Sequence, residues 1–160
     1  MSAGMALGIM SICNGLGRFV WGTISDRFSR RTAGIAMCAV SLLACLGFLR
    51  SGCEFWVLVA GLSLVAFSYG GYIAVIPTWV AQYYGKKNFG ANYGFIVTAW
   101  GICGFVMPGH FERVLDRARV STGLHVGYQE VYWQLSLLAG LGGLVAATLR
   151  PPRRFETKSS

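Results

Sequence analysis

The sequence predicts an all-α integral membrane protein with about five transmembrane helices. Three observations indicate this fold class. The 160 residues are 54% hydrophobic and only 12% charged, about half of the charged fraction of an average soluble domain. Uncharged stretches over 1–16, 32–49 and 55–85 approach or exceed the length that a helix needs to cross a bilayer. Short basic segments separate these stretches, which is typical of loops on the cytoplasmic side of a membrane.

The spans are predicted in chain order from the apolar stretches. They cover about residues 2–24, 32–49, 56–80, 89–108 and 131–149, and a basic, polar tail follows at 150–160. The third uncharged stretch is longer than a bilayer requires, so we expect its helix to be tilted or to project. Pro77 lies late in it and is expected to kink or end its membrane part. Gly85 is suited to a helix C-terminus, and Asn88 is suited to the cap of the next helix.

The loops alternate in their content of basic residues. One set of loops and the tail carry nine basic residues: Arg27, Arg30, Arg31, Lys86, Lys87, Arg150, Arg153, Arg154 and Lys158. The other set carries four arginines, which are offset by nearby Asp and Glu residues. Because basic loops stay in the cytoplasm, we expect the N-terminus outside and the tail inside a plasma membrane or bacterial inner membrane.

Charge and cysteine patterns argue against other classes of protein. The net charge is +8, but the basic residues lie in short clusters between apolar stretches, so no nucleic-acid partner is expected. Cysteines inside apolar stretches behave as small hydrophobic residues, and no C-x-x-C pair suggests a metal site. No nucleophile–base pair or phosphate-binding loop is visible. We therefore predict that the protein is not an enzyme and uses no cofactor.

The loop after the first span carries the most specific motif. Residues 17–31 read G-R-F-V-W-G-T-I-S-D-R-F-S-R-R. This pattern resembles the signature loop of the major facilitator superfamily of secondary transporters, which follows the second helix of each six-helix half. A conformational gating role is expected for Gly22, Asp26, Arg27, Arg30 and Arg31. The Asp26 carboxylate is expected to lie at the positive N-terminal end of the fourth span, which would hold one closure state.

A second motif covers the end of the third span and the start of the fourth. Residues 77–94 read P-T-W-V-A-Q-Y-Y-G-K-K-N-F-G-A-N-Y-G. This segment resembles the oxalate/formate antiporter branch of the superfamily and, more distantly, monocarboxylate transporters. Together the two motifs align the chain with helices eight to twelve of a twelve-helix transporter. The resemblance implies that the N-terminal half and the seventh helix are missing, as in a fragment, a truncated product or one piece of a split transporter.

Arg18 is the sharpest candidate for a substrate contact, because it is the charge placed clearly inside a span. An intramembrane arginine costs at least ~2.5–3.5 kcal/mol and should face protein or a water-filled cavity. There its planar fork of donors can bind a carboxylate. Asn14 lies beside it, and small or polar residues share its stripe: Gly4, Gly8, Ser11, Gly15 and Gly22. Snorkelling to the interface or bonding to backbone carbonyls is the alternative. An arginine on this helix contacts substrate in the resembling branch, and Arg18 matches it in position.

Three aromatic residues complete the expected site. The resembling branch has a lysine on the helix of the fourth span, and Trp100 stands in its place here. One cation in the site can pair with one carboxylate. Oxalate, which has two, is therefore a less suitable substrate than a monocarboxylate or a larger amphipathic acid. Tyr69 and Tyr72 are expected to face the cavity, because hydroxyl groups in a membrane need partners. Ordinary helix packing is the alternative for all three aromatic side chains.

The sequence thus predicts a secondary transporter of a small organic anion, a carboxylate, that works by alternating access between two halves. The expected partners are this anion, the lipid bilayer and the missing N-terminal half. The alternative is a non-transporting membrane subunit or a truncated, inactive product with transporter ancestry.

Overall fold

The computed structural model describes residues 3–51, 55–121 and 123–148. Over these ranges the chain forms five long helices: α1 (Ala3–Arg27), α2 (Arg30–Ser51), α3 (Phe55–Tyr84), α4 (Phe89–Ser121) and α5 (Leu124–Thr148). No strand occurs within the described ranges, so the predicted all-α fold class is confirmed. The basic tail at 150–160 and Cys53, which is predicted to lie in an outer loop, are outside the described residues.

Four of these helices are long and apolar enough to cross a membrane. They are α2 over Arg30–Gly47, α3, α4, and α5 over His125–Thr148. Helix α1 is not among the four, and its described residues include Asn14 and Arg18. An arginine within a membrane helix is suited to a place against protein or a water-filled cavity. That all five helices span the membrane stays a prediction.

The helices α3 and α4 extend beyond the predicted spans. They contain 30 and 33 residues, which at 1.5 Å per residue gives roughly 45 and 50 Å against a hydrocarbon core of about 30 Å. Pro77 lies inside α3, and α4 continues through Pro108 to Ser121. A proline removes one backbone hydrogen bond, and the neighbouring turns of a long helix can tolerate that loss. The membrane boundaries within these helices stay predictions.

The turn between α3 and α4 has the expected chemistry. Gly85 directly follows α3 and adopts a φ of +76°, a left-handed conformation that glycine accepts without steric cost. Asn88 directly precedes α4, and its carbonyl accepts the first helical hydrogen bond, from the Asn92 N–H at 3.1 Å. The predicted helix end and helix start are therefore confirmed at these two residues.

The helices pack in a fixed order around α3. Helix α1 lies along α3, α2 packs between α3 and α5, and α4 packs on α5 and more loosely on α3. The core joins Trp21 of α1, Ala33 and Met37 of α2, and Val75 of α3. Trp21 also packs on the Phe67 ring, with the centroids 5.5 Å apart. The arrangement leaves one flank of α1 and much of α4 unpacked within the described chain.

Candidate functional site

Arg18 lies where α1 crosses α3. A Cβ placed on Gly70 would lie 3.2 Å from the Arg18 backbone nitrogen, so position 18 is directly beside Gly70 and its neighbour Tyr69. Ile24 packs against the core cluster of α1, α2 and α3, and Arg18, which is six residues earlier, lies on a different side of α1. The Arg18 side chain is exposed, and no described acidic residue pairs with it. Its guanidinium is therefore open to a ligand from outside these helices.

Asn14 is one turn before Arg18 and holds α1 against α3. Its side-chain amide donates to the Ala66 carbonyl at 3.2 Å, and the residue is half-buried. Interhelical hydrogen bonds of this kind join membrane helices that approach closely. The structure thus gives Asn14 a packing role, and a direct substrate contact stays a proposal.

An aromatic cleft separates α3 from α4. The Tyr69 and Trp100 rings meet edge to face with their centroids 5.3 Å apart, and about two-fifths of each residue is exposed (44% and 41%). The cleft encloses about 210 Å³ and is almost wholly apolar. Its wall is formed by Tyr69, Tyr72, Ile73, Ile76, Tyr93, Ile96, Val97 and Trp100. The structure therefore brings three of the predicted site residues, Tyr69, Tyr72 and Trp100, to one cleft.

Tyr93 is a cleft residue that the sequence reasoning did not single out. It belongs to the N-Y-G end of the second motif. It also precedes Trp100 by two helical turns, which places both on one face of α4. The spacing between Tyr93 and Trp100 in the sequence could have identified Tyr93 as a cleft residue.

Tyr72 contributes differently from Tyr69. Its hydroxyl forms a hydrogen bond with the Cys38 Sγ at 3.1 Å, and its ring packs against the core cluster of α1, α2 and α3. The hydroxyl is therefore engaged with α2, and only the ring contributes to the cleft. Tyr69 has no such partner among the described residues and is the more exposed of the two.

The predicted gating residues gather at the other end of the same helices. Asp26, Arg30 and Arg31 line a second cavity of about 520 Å³, between the end of α1, the start of α2 and the end of α3. Arg30 donates to the Gln82 side-chain oxygen of α3, and Arg31 donates to the Ala147 carbonyl at the end of α5. The two arginines therefore join α2 to two different helices.

Gly22 and Arg27 lie outside this cavity wall. A Cβ on Gly22 would meet nothing within 4 Å, and Arg27 is exposed at the end of α1. Nothing in the described contacts gives either residue a partner, so their part in gating stays a proposal.

The expected contact of Asp26 with the start of α4 is not made in this structure. No described residue of α1 approaches α4, because α1 packs along α3 while α4 packs mainly on α5. Asp26 is exposed and lines the cavity that contains Arg30 and Arg31, without forming an ion pair to either. The prediction that Asp26 caps α4 is thus wrong for this conformation, and helix packing is the reason.

Comparison with known proteins identifies the family. The family model of the Major Facilitator Superfamily matches residues 1–160. The chain belongs to the major facilitator superfamily. With four helices among the described residues that are long and apolar enough to cross a membrane, this superfamily member is a multi-pass integral membrane protein. An uncharacterized MFS-type transporter of Escherichia coli (strain K12), YhjX, is 33% identical over 102 residues, which make up 64% of this chain and 25% of that protein. The match thus covers a quarter of this relative's length. No solved structure matches the chain.

Proposed function

We propose that this chain provides the C-terminal helices of a secondary transporter that moves a small organic anion, a carboxylate, by alternating access. We assign it to the oxalate/formate antiporter-like branch on the strength of the motif at residues 77–94. The observation that carries the proposal is the exposed Arg18 on α1, which pairs with no described acidic residue.

The free-energy cost of placing the Arg18 guanidinium within a membrane supports a role in anion binding. A guanidinium within a membrane costs at least ~2.5–3.5 kcal/mol, so such residues face water or a partner. A carboxylate offers two oxygens to the planar fork, which gives two charge-assisted hydrogen bonds. Arg18 lies eight residues before Asp26, about 12 Å along the helix at 1.5 Å per residue. This distance favours a cavity over simple snorkelling to the basic end of the bundle.

The aromatic cleft supports an acid with an apolar part. The wall between Tyr69 and Trp100 is nearly free of polar surface, so a second carboxylate placed there would lose hydration without gaining a partner. An alkyl or planar group would instead bury apolar surface against the two rings. Arg18 does not line the cleft itself, so the acid we propose is a monocarboxylate whose apolar part reaches from Arg18 toward the cleft, which oxalate does not have.

We further propose that other helices complete the cavity in the working transporter. Helix α4 exposes large apolar side chains such as Phe95 and Phe105, at 80% and 87%, and exposed apolar surface of this kind marks a contact with lipid or protein. The expected result is no substrate flux from liposomes that contain this chain alone. Flux should appear when the remaining transporter helices are supplied. Flux from the chain alone would instead require a homo-oligomeric transporter.

The decisive experiment measures carboxylate uptake into proteoliposomes by the transporter that contains this chain. Arg18→Gln should abolish uptake, and Arg18→Lys should keep part of it, because the charge remains while the fork is lost. Arg117→Gln is the matched control, since Arg117 is exposed near the far end of α4. Membrane insertion of each variant is measured in parallel. Undiminished uptake by Arg18→Gln would remove Arg18 from the site. Absence of uptake by the wild-type transporter under any carboxylate gradient would favour a non-transporting subunit.

A further inference from the structure

A second apolar cavity lies next to the aromatic cleft between α3 and α4. It encloses about 160 Å³ and is lined by Ile76, Trp79, Val80, Tyr83, Tyr84 and Ile96. The cleft wall extends along α3 from Tyr69 to Ile76, and the wall of the second cavity extends along α3 from Ile76 to Tyr84. The second cavity therefore continues the cleft toward the turn between α3 and α4.

Two isoleucines belong to both walls. Ile76 of α3 and Ile96 of α4 line the cleft as well as the second cavity, and both are half-buried. Residues that line two neighbouring cavities lie at the boundary between them. We refer to Ile76 and Ile96, one from each helix, as the partition.

The partition is stiff, and the second cavity behind it has fixed walls. An isoleucine in a helix has one strongly preferred χ1 rotamer, because its side chain branches at Cβ. Moving such a side chain away from its rotamer costs free energy. In the second cavity, Val80 is buried, and the Trp79 ring lies so close to α2 that a Cβ on Gly34 would overlap it. The space behind the partition is therefore not closed by a simple rotation of its walls.

The place of Arg18 relative to the partition gives the partition a role, which rests on the proposed transport of a carboxylate. Arg18 lies beside Gly70. Ile76 and Tyr84 follow Gly70 along α3 by roughly 9 and 21 Å at 1.5 Å per residue. An acid whose carboxylate binds Arg18 and whose tail lies in the cleft thus reaches Ile76 before it reaches the second cavity.

We propose that Ile76 and Ile96 determine the longest apolar tail that the transporter accepts. Each methylene group that enters the cleft buries apolar surface, which should improve the apparent affinity by about fourfold. A tail that meets the partition gains no further burial unless it displaces a stiff side chain. Affinity therefore rises with chain length up to one limiting acid and then stops rising. The substrates are monocarboxylates whose tails end at the partition.

The first test measures KM and kcat for the uptake of straight-chain acids, from acetate to dodecanoate, into proteoliposomes by the transporter that contains this chain. In the wild type, KM should fall with chain length up to the limiting acid. Ile96→Ala opens the partition from α4 and should move the limit to a longer acid, with KM about fourfold lower for each methylene group admitted. Ile76→Ala opens it from α3 and should have the same effect. The KM for acetate should change little in both variants.

Two further variants separate the partition from a general loss of packing. Ile102→Ala is the matched control, because Ile102 lies on the same helix as Ile96, is 60% exposed and lines neither cavity. It should keep the wild-type limit. Ile96→Phe adds bulk to the partition and should move the limit to a shorter acid. Misfolding cannot produce shifts of opposite direction in Ile96→Ala and Ile96→Phe.

Photolabelling provides a readout that does not need transport. The acids carry a photoreactive diazirine at the end of the tail, and mass spectrometry identifies the labelled residues. In the wild type the label should stay in the cleft wall, whereas in Ile96→Ala the longer acids should also label Tyr83 or Tyr84. This pattern without uptake of any acid by the wild type would contradict the proposed transport and still support the partition.

Three results would overturn the inference about the partition. The first is an unchanged limiting acid in both Ile96→Ala and Ile76→Ala. The second is an equal shift of the limit in Ile102→Ala. The third is photolabelling that does not differ between the wild type and Ile96→Ala.

Discussion

Gly70 of α3 lies against the backbone of Asn14 in α1, so that a Cβ at position 70 would overlap the Asn14 carbonyl oxygen. The approach is reciprocal, because a Cβ on Gly17 would overlap the Phe67 carbonyl oxygen. The Asn14 side chain then bonds to the Ala66 carbonyl at the same crossing. Small residues permit this contact between membrane helices. The position of Arg18 beside α3 therefore depends on two glycines.

Gly70→Ala should separate α1 from α3. The added methyl group meets backbone atoms that cannot rotate away, so we expect a loss of about 1–3 kcal/mol in the free energy of unfolding. Gly101→Ala on α4 is the matched control, because a Cβ there meets nothing within 4 Å, and alanine favours a helix over glycine. Unfolding of the purified chain in detergent measures both. Equal stability of the two variants would show that α1 and α3 are farther apart than described.

Arg31→Gln should loosen the contact between α2 and α5. The variant loses the hydrogen bond from the Arg31 guanidinium to the Ala147 carbonyl near the end of α5. Because Arg31 is exposed, we expect a loss of only about 1 kcal/mol. Arg27→Gln removes a charge from the nearby end of α1, which has no described partner on α5, and it should change stability by less than about 0.5 kcal/mol. A larger effect of Arg27→Gln than of Arg31→Gln in the unfolding assay would contradict this assignment.

Trp100→Ala tests the aromatic cleft within the proposed transporter. Removing the indole takes away apolar surface that the tail of the acid would bury, which is worth roughly 0.5–1.5 kcal/mol for a few tens of Å², so the KM for an acid with an apolar tail should rise by about two- to tenfold. The KM for formate, which has no tail, should change little. Phe105→Ala is the control on the same helix, because Phe105 is 87% exposed and lies outside the cleft wall. An equal change for formate and the tailed acid would place Trp100 outside the substrate site.

The predicted orientation can be tested with two single cysteines in a cysteine-free chain. Lys87→Cys lies in the turn between α3 and α4, and Arg117→Cys lies near the end of α4, and both positions are exposed. The positive-inside rule predicts labelling of Arg117→Cys by an impermeant thiol reagent outside intact cells. Lys87→Cys should react only after permeabilisation. The opposite pattern would invert the topology.

Local sequence features were sufficient to predict several elements. The apolar stretches and basic loops predicted five helices in the observed order, though not the ends of α4 and α5, because helix length and hydropathy are properties of neighbouring residues. Gly85 and Asn88 predicted a helix end and start, since left-handed backbone and capping are local requirements. The loop at residues 17–31 predicted the family that the comparison confirms.

Other features required the packed structure. The fourth predicted span ends at Pro108, whereas α4 continues to Ser121 and buries Val114 and Ala118 beyond the proline. A local helix-breaking residue does not reveal such burial. The partners of Arg30 and Arg31 are 52 and 116 residues away in the chain, and no periodicity connects such positions. The expected contact of Asp26 with α4 failed for the same reason.

The sequence by itself determined the helical class, the helix ends at Gly85 and Asn88, and the residue types available to each helix. Only the tertiary structure decided that Tyr69 meets Trp100, that Tyr72 turns its hydroxyl to Cys38, and that Ser25 and Arg30 share a cavity. The physical reason is that helix formation depends on backbone hydrogen bonds and hydropathy within one segment. The choice of neighbours depends on how closely two surfaces approach, and at α1 and α3 that distance is set by Gly17 and Gly70.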